Sequence, residues 1–322
     1  MNRIFNCLFA SRIAEFIAQK HALGFPYGGS EVILSYFDRF CCENFAVENI
    51  LSKELCLTWA VRRDTEGNNA LRNRLSVIRE FAKYLNRLGE PAFIIPNFYA
   101  KKSARLVPHI YSEEEIAMIW EELDNTKPRD RFPVRHFVIP AIMRLLYCCG
   151  LRPCEARKLR VDDVDLLAGK LYIRESKGHK DRIIMLADDM RDYLVDYNEK
   201  VCRLLPGRQW FFPSSNDELY TKEWLENTFC LVRKKLNIPY SGTTPPRLYD
   251  FRHTFATHRL YLWMREGKDL TTMTAYLSAY MGHVQLTDTY YYIHLVPGQL
   301  ETMSGLDFSR YESLLPEVEL DD

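Results

Sequence analysis

The sequence predicts a mainly α-helical protein with one small β-hairpin, arranged as two domains. Three observations predict it. Apolar residues recur at three- and four-residue spacing through most of the chain, as the buried face of a helix requires. Only two short runs, Lys170-Leu171-Tyr172-Ile173-Arg174-Glu175 and Arg182-Ile183-Ile184-Met185-Leu186, have strand character, and the polar Ser176-Lys177-Gly178-His179-Lys180-Asp181 joins them as a hairpin loop. Gly89-Glu90-Pro91 then halts the helical pattern, and a stretch with a second proline and the basic group Lys101-Lys102-Ser103-Ala104-Arg105 follows. The expected division is a domain at 1–92, an extended linker at 93–107, a second domain at 108–302 and a tail at 303–322.

With 322 residues, 47% hydrophobic and 27% charged, each half can bury a core. In the first half, Ile4, Phe5, Leu8, Ile13, Phe16 and Ile17 mark a helix that Gly24 and Gly28-Gly29 end. Ser30 is placed to cap a second helix carrying Val32, Ile33, Tyr36, Phe37 and Phe40. A third helix is expected over 52–63. A fourth, over 69–88, has Leu71, Leu75, Ile78, Phe81, Ala82 and Leu85 on one face and Arg72, Arg74, Arg79, Lys83 and Arg87 on the others. The plain reading of that charged face is solvation. The sharper one is a helix lying along phosphates, where each Lys or Arg contact releases a counterion; on that reading Arg72, Arg79 and Lys83, with Lys101, Lys102, Arg105 and Lys180, are the candidate DNA-contacting residues.

The second half opens on Ser112-Glu113-Glu114-Glu115, a capping box. A strongly apolar helix is expected over 135–149. Gly150 suits its C-terminal end, and Pro153 the first turn of the next helix. Arg152 is thereby held in a tight turn between two helices. Beyond the hairpin, helices are expected over 187–204, 221–236, 249–265, 270–280, 287–295 and 308–315, with Trp210-Phe211-Phe212-Pro213 as a core or edge segment.

The net charge is +0, which counts against a uniformly basic nucleic-acid binder but leaves room for a basic patch, because 152–182 is rich in Arg and Lys while the tail is acidic. The 9 cysteines are odd in number and contain no Cys-x-x-Cys spacing, so they read as reduced thiols of a cytoplasmic protein and not as a disulfide frame or metal site. No apolar run reaches membrane-spanning length; 137–151 comes nearest and contains Arg144.

The chemistry concentrates in Tyr249-Asp250-Phe251-Arg252-His253-Thr254-Phe255-Ala256, Met281-Gly282-His283 and Tyr290-Tyr291-Tyr292. Residues three apart share a helix face, so Tyr249 and Arg252 can meet one pocket. A permanent guanidinium grips phosphate oxygens bidentately, and a phenol beside it can act as nucleophile. Taken singly, each part has an ordinary reading. Arg152 could cap a carbonyl, Tyr292 could be a packed aromatic, and His253 could be a structural histidine. His258 and His294 carry no functional expectation.

The order Gly150-Leu151-Arg152-Pro153-Cys154-Glu155, Lys177 in a hairpin loop, Arg252-His253-Thr254-Phe255-Ala256, Gly282-His283 and Tyr292 resembles the tyrosine recombinases, the phage integrase family. The likeness covers about 108–300, and the helical first domain resembles the family's SAM-like core-binding domain. The resemblance implies that Arg152 and Arg252 are the two catalytic arginines, Lys177 the hairpin lysine and general acid (with Lys180 its rival), and His283 the histidine that bonds the phosphate. It implies Tyr292 as the nucleophile, since the family places that tyrosine nine residues after the histidine, as here. Tyr249 stands where the family usually has His, so a phenol would take that hydrogen-bonding role. Glu155, one turn from Arg152, and His253 are supporting residues.

The implied reaction is transesterification on double-stranded DNA through a 3′-phosphotyrosyl ester, needing neither ATP nor metal and carried out by a homotetramer on two DNA sites. The tail is the candidate subunit contact. The implied rivals are a type IB topoisomerase, which would relax supercoils without a defined partner site, and a non-catalytic DNA-binding relative.

Overall fold

The computed structural model describes residues 3–100, 106–174, 181–240, 244–293 and 295. The chain forms two compact units, Met1–Arg105 and Leu106–Asp322. The expectations for Lys101, Lys102, Arg105, Lys177, His179, Lys180, His294, the helix at 308–315 and the tail fall outside the described residues. Among the described residues no helix is long and apolar enough to cross a membrane.

The first unit contains α1 (Ala10–Ala22), α2 (Gly28–Asn44), α3 (Lys53–Ala60) and α4 (Asn68–Arg87). Ser52 caps α3 through its hydroxyl, which accepts from the Leu55 amide. The second helix starts two residues before the expected Ser30 cap, after Tyr27 in a left-handed conformation. The core is built on α4: Leu75, Ile78, Phe81 and Ala82 are fully buried against Ile13 and Phe16 of α1 and Leu34 and Phe37 of α2.

Two arginines of α4 depart from the expected solvated or phosphate-facing pattern. Arg74 is buried, pairs with Glu66 at 2.7 Å and donates to the carbonyls of Trp59 and Val61. Arg79 is buried too. Its Nε and Nη2 donate to the Ile95 and Pro96 carbonyls at 2.6 and 3.0 Å. Arg79 therefore pins the following chain instead of facing phosphates; Arg72 and Lys83 are exposed. Accordingly the expected linker at 93–107 does not begin as free chain, since Ile95 and Ala100 are buried in this unit's core.

The second unit contains α5 (Glu113–Asp124), α6 (Arg135–Cys149), α7 (Pro153–Arg157), β1 (Val164–Asp165), β2 (Lys170–Ile173), β3 (Arg182–Met185), α8 (Asp188–Leu204), α9 (Lys222–Leu236), α10 (Asp250–Arg265), α11 (Leu270–Met281) and α12 (Thr287–Ile293). The capping box at Ser112 forms as expected: its hydroxyl accepts from the Glu115 amide, and the Glu115 carboxylate accepts from the Ser112 amide. The sheet is antiparallel in the order β1-β2-β3, with Leu171 opposite Ile184. Its third strand, β1, has two residues, too short for alternation to reveal.

The core helix α6 is buried along most of its length and packs under α10. Phe251 of α10 is fully buried among Tyr111, Trp120, Tyr147 and Phe229, with ring centroids 5.1–6.1 Å away. That packing fixes the start of α10, and with it the direction of Arg252 one residue later. A second cluster, with Leu260, Leu277, Met281 and Ile293, joins α10, α11 and α12.

Candidate active site

The site is assembled from three chain reversals. The first ends α6. Gly150 is left-handed at φ 57, and a Cβ there would stand 2.3 Å from the Phe255 ring, so both conformation and space call for glycine. Arg152 follows in extended backbone and Pro153 opens α7. Glu155, a turn later, accepts from the Arg152 amide at 3.0 Å and from its Nη1 at 2.7 Å.

The second is the C-terminal end of α11. A helix end leaves its last carbonyls without amide partners, and these carry the negative end of the helix dipole. Here three successive carbonyls each accept from a different arginine. Tyr280 O takes Arg182 Nε at 2.8 Å, Met281 O takes Arg252 Nη2 at 2.8 Å, and Gly282 O takes Arg152 Nη2 at 2.9 Å. Arg252 is only 1% exposed, and its Nη1 donates to Gly150 O at 2.6 Å, joining the ends of α6 and α11. Arg182 closes the cluster by gripping Glu155 with Nη1 and Nη2 at 3.0 and 2.8 Å.

The third is the turn from α11 into α12, made by left-handed Gly282 and by His283, whose Nδ1 lies 2.7 Å from the Thr289 hydroxyl. Tyr292 of α12 is buried, stacked on His283 at 5.9 Å and tilted against His253 at 5.5 Å. Tyr249 stands at the rim, 39% exposed, with its ring edge-on to His253 at 5.2 Å. An open cleft of about 390 Å³ lies against Arg182, Gly282, His283 and Leu286.

The electrostatics follow from this crowding. Burial alone would raise the Glu155 carboxyl; hydrogen bonds and charge from Arg182 and Arg152 outweigh it and hold it at about 2. Burial lowers Arg252, and repulsion from Arg152 adds to it. Burial, then Arg252, Arg152 and Arg182, push His283 down to about 3, so its imidazole is neutral at pH 7. Burial pushes the Tyr292 phenol up to about 12, with Arg252 opposing.

The structure thus gathers Arg152, Glu155, Arg252, His253, His283 and Tyr292 in one place, with Tyr249 beside them. Sequence reasoning missed Arg182. No signal in the hairpin sequence could have found it, because a charged residue opens β2 as well, at Lys170. Thr289, fully buried behind His283, was also missed.

Comparison with known proteins bears on this arrangement. Residues 112–298 match the model of the phage integrase family. A protein of Sinorhizobium fredii, named provisionally as integrase/recombinase y4rB, is 29% identical over 295 residues, spanning 88% of this chain and 92% of its own. Tyrosine recombinase XerA of Thermococcus kodakarensis is 29% identical over 236 residues, spanning 72% and 73%. The Tn1549 transposon integrase, solved in complex with transposon right end DNA, superposes with a TM-score of 0.63 at 13% identity, covering 91% of this chain and 99% of that one; at such identity the likeness is one of fold. The chain belongs to the phage integrase family, the tyrosine recombinases, site-specific enzymes that catalyse DNA cleavage and strand transfer.

Proposed function

We propose that Tyr292 is the nucleophile of this recombinase and that Arg152 and Arg252 hold the scissile phosphate. The phenolic oxygen of Tyr292 attacks phosphorus and the bond to the 5′-oxygen breaks. The phenol gives its proton to solvent as the new ester forms, and the leaving 5′-oxygen takes one from Lys177. The product is a 3′-phosphotyrosyl ester that keeps the energy of the phosphodiester, so attack by a second 5′-hydroxyl rejoins the DNA without nucleotide hydrolysis.

The observation that carries this reading is the row of carbonyls at residues 280–282. It holds Arg152 and Arg252 beside Tyr292 before any substrate arrives. Preorganised positive charge stabilises a pentacoordinate transition state because no reorganisation is needed during reaction. Neutral His283 carries one ring proton; in the tautomer whose Nδ1 accepts from the Thr289 hydroxyl, 2.7 Å away, that proton sits on Nε2, suited to a phosphate oxygen. Tyr249 takes the same kind of role from the rim.

Each chain supplies one such nucleophile, and recombining two duplexes requires four strand cuts. Four copies on two sites is therefore the assembly that completes the reaction. In the first unit, the exposure of Arg72 and Lys83 on α4 supports a role for them as contacts to the DNA backbone.

The test is trapping of a covalent adduct on nicked suicide duplexes built from inverted repeats flanking the gene. Wild-type protein forms the adduct and Tyr292→Phe, which keeps the packing, forms none. An adduct with Tyr292→Phe would overturn the assignment of the nucleophile. Supercoil relaxation of any plasmid, without a required sequence, would favour topoisomerase-like action instead.

A further inference from the structure

We propose that Arg182 is a positioning residue for the catalytic arginines: by occupying both oxygens of Glu155 it leaves the Arg152 guanidinium available to a phosphate. The inference rests on the assignment of Arg152 made above and extends it to a residue outside the expected set.

The geometry separates the two arginines by what their donors do. Arg182 spends its guanidinium on the protein. Nε goes to Tyr280 O, and Nη1 and Nη2 take one oxygen each of the Glu155 carboxylate. That is the parallel two-bond pairing arginine forms best with a carboxylate. Both side chains are inaccessible, 9% and 4% exposed. Arg152 makes a single side-chain bond to Glu155, through Nη1, and one to Gly282 O through Nη2. Two of its five N–H donors are thus used among the described residues, and the rest remain for a ligand.

Glu155 lies three residues beyond Arg152 on the same helical turn, within easy reach of it. Without Arg182 the carboxylate would be open to a two-bond pairing with Arg152 alone. Such a pair is neutral, and its fork is turned toward the protein instead of toward DNA. Arg182 prevents this in two ways. It fills the carboxylate, and it restores one net positive charge to the Arg152–Glu155–Arg182 group. Its own place is guarded by Gly282, where a Cβ would come within 2.9 Å of Arg182 Nη1.

The experiment is single-turnover cleavage of the nicked flanking-repeat duplex by Arg182→Gln. One version of the duplex carries the ordinary scissile phosphodiester and another a methylphosphonate there. The methylphosphonate has lost the charge of one non-bridging oxygen and asks less of Arg152. Arg182→Gln is expected to cut the phosphodiester about 100-fold more slowly, with a deficit at least about tenfold smaller on the methylphosphonate. Its affinity for the uncleaved duplex stays within about twofold. Adding Glu155→Gln to Arg182→Gln removes the capturing charge and regains at least about tenfold in rate.

Equal deficits on both duplexes, or no recovery in the double variant, would reduce Arg182 to a structural tie and overturn the proposal. Unfolding curves accompany each variant. If Arg182→Gln does not fold, Arg182→Lys, which keeps charge but not the fork, carries the same comparison and must show the same substrate dependence. Arg152→Lys is the control for the underlying reading. If it cleaves like wild type, the active-site assignment itself fails; if it is impaired while Arg182→Gln is not, only the present inference fails.

Discussion

The carboxylate of Glu155 makes a prediction that separates electrostatics from packing. Its side chain is 4% exposed and touches two guanidiniums. Its pKa is held at about 2 against a usual 4.5. A carboxyl whose folded-state pKa lies below the unfolded one contributes its full stability above the unfolded value. That contribution is lost as pH falls from 4.5 through 2. The depression corresponds to about 3 kcal/mol at neutral pH, of which about 2 kcal/mol is gone by pH 3. Glu155→Gln keeps the shape and removes the charge, leaving Arg152 and Arg182 without their anion, so the cost at pH 7 is about 3 kcal/mol. Glutamine does not titrate, so the gap between the two proteins narrows to about 1 kcal/mol at pH 3. Urea unfolding of both proteins at each pH, read as midpoints at unchanged m-value, measures the gap. A gap that is the same at pH 7 and pH 3 would mean that Glu155 acts through shape and hydrogen-bond count, and would refute the charge argument.

Arg252→Lys keeps a cation but cannot bridge Gly150 O and Met281 O together; strand cleavage in the suicide-duplex assay is expected to fall about 100-fold or more while the protein remains folded. Gly150→Ala brings a Cβ to 2.3 Å from Phe255 at a left-handed φ, and thermal or urea unfolding should show a loss of about 2–4 kcal/mol. On α4, Arg72→Ala should lower the salt dependence of DNA binding by about one unit of slope with little effect on stability. Arg79→Ala, which releases the Ile95 and Pro96 carbonyls, should do the reverse: unfolding weakens and the salt slope stays.

What could be read in the sequence was local. The Ser112 capping box, the Gly150 reversal and Pro153 at the first turn of α7 depend on neighbours within four residues, and each forms as expected. The nine-residue step from His283 to Tyr292 likewise places both on one short turn-and-helix, where they stack. What could not be read was which arginines turn inward. Arg74, Arg79 and Arg182 look alike in sequence, and each is decided by carbonyls elsewhere in the fold: Trp59 and Val61, Ile95 and Pro96, and Tyr280. A charged helix face such as that of α4 therefore overstates its solvent-facing charge. Conversely, the strand-opening Arg182 looked like an edge residue, because nothing within the hairpin reveals that the end of α11 lies above it.

The same carbonyl row explains how like charges can be gathered at all. Three guanidiniums set against the single Glu155 carboxylate repel one another; burial lowers the pKa of Arg252, and repulsion from Arg152 lowers it further. Helix-terminal carbonyls offset the repulsion without cancelling the charge, because a dipole end carries only a fraction of an elementary charge. A carboxylate at each arginine would have secured them more firmly and left nothing to attract a phosphate. The arrangement also sets the state of the proposed nucleophile. Burial and Arg252 act on Tyr292 in opposite directions, and burial prevails, leaving the phenol at about 12. The resting site is thus cationic with a neutral phenol. In the proposed reaction its proton leaves most readily when bond formation to phosphorus moves charge from the phenolic oxygen onto oxygens that face the arginines.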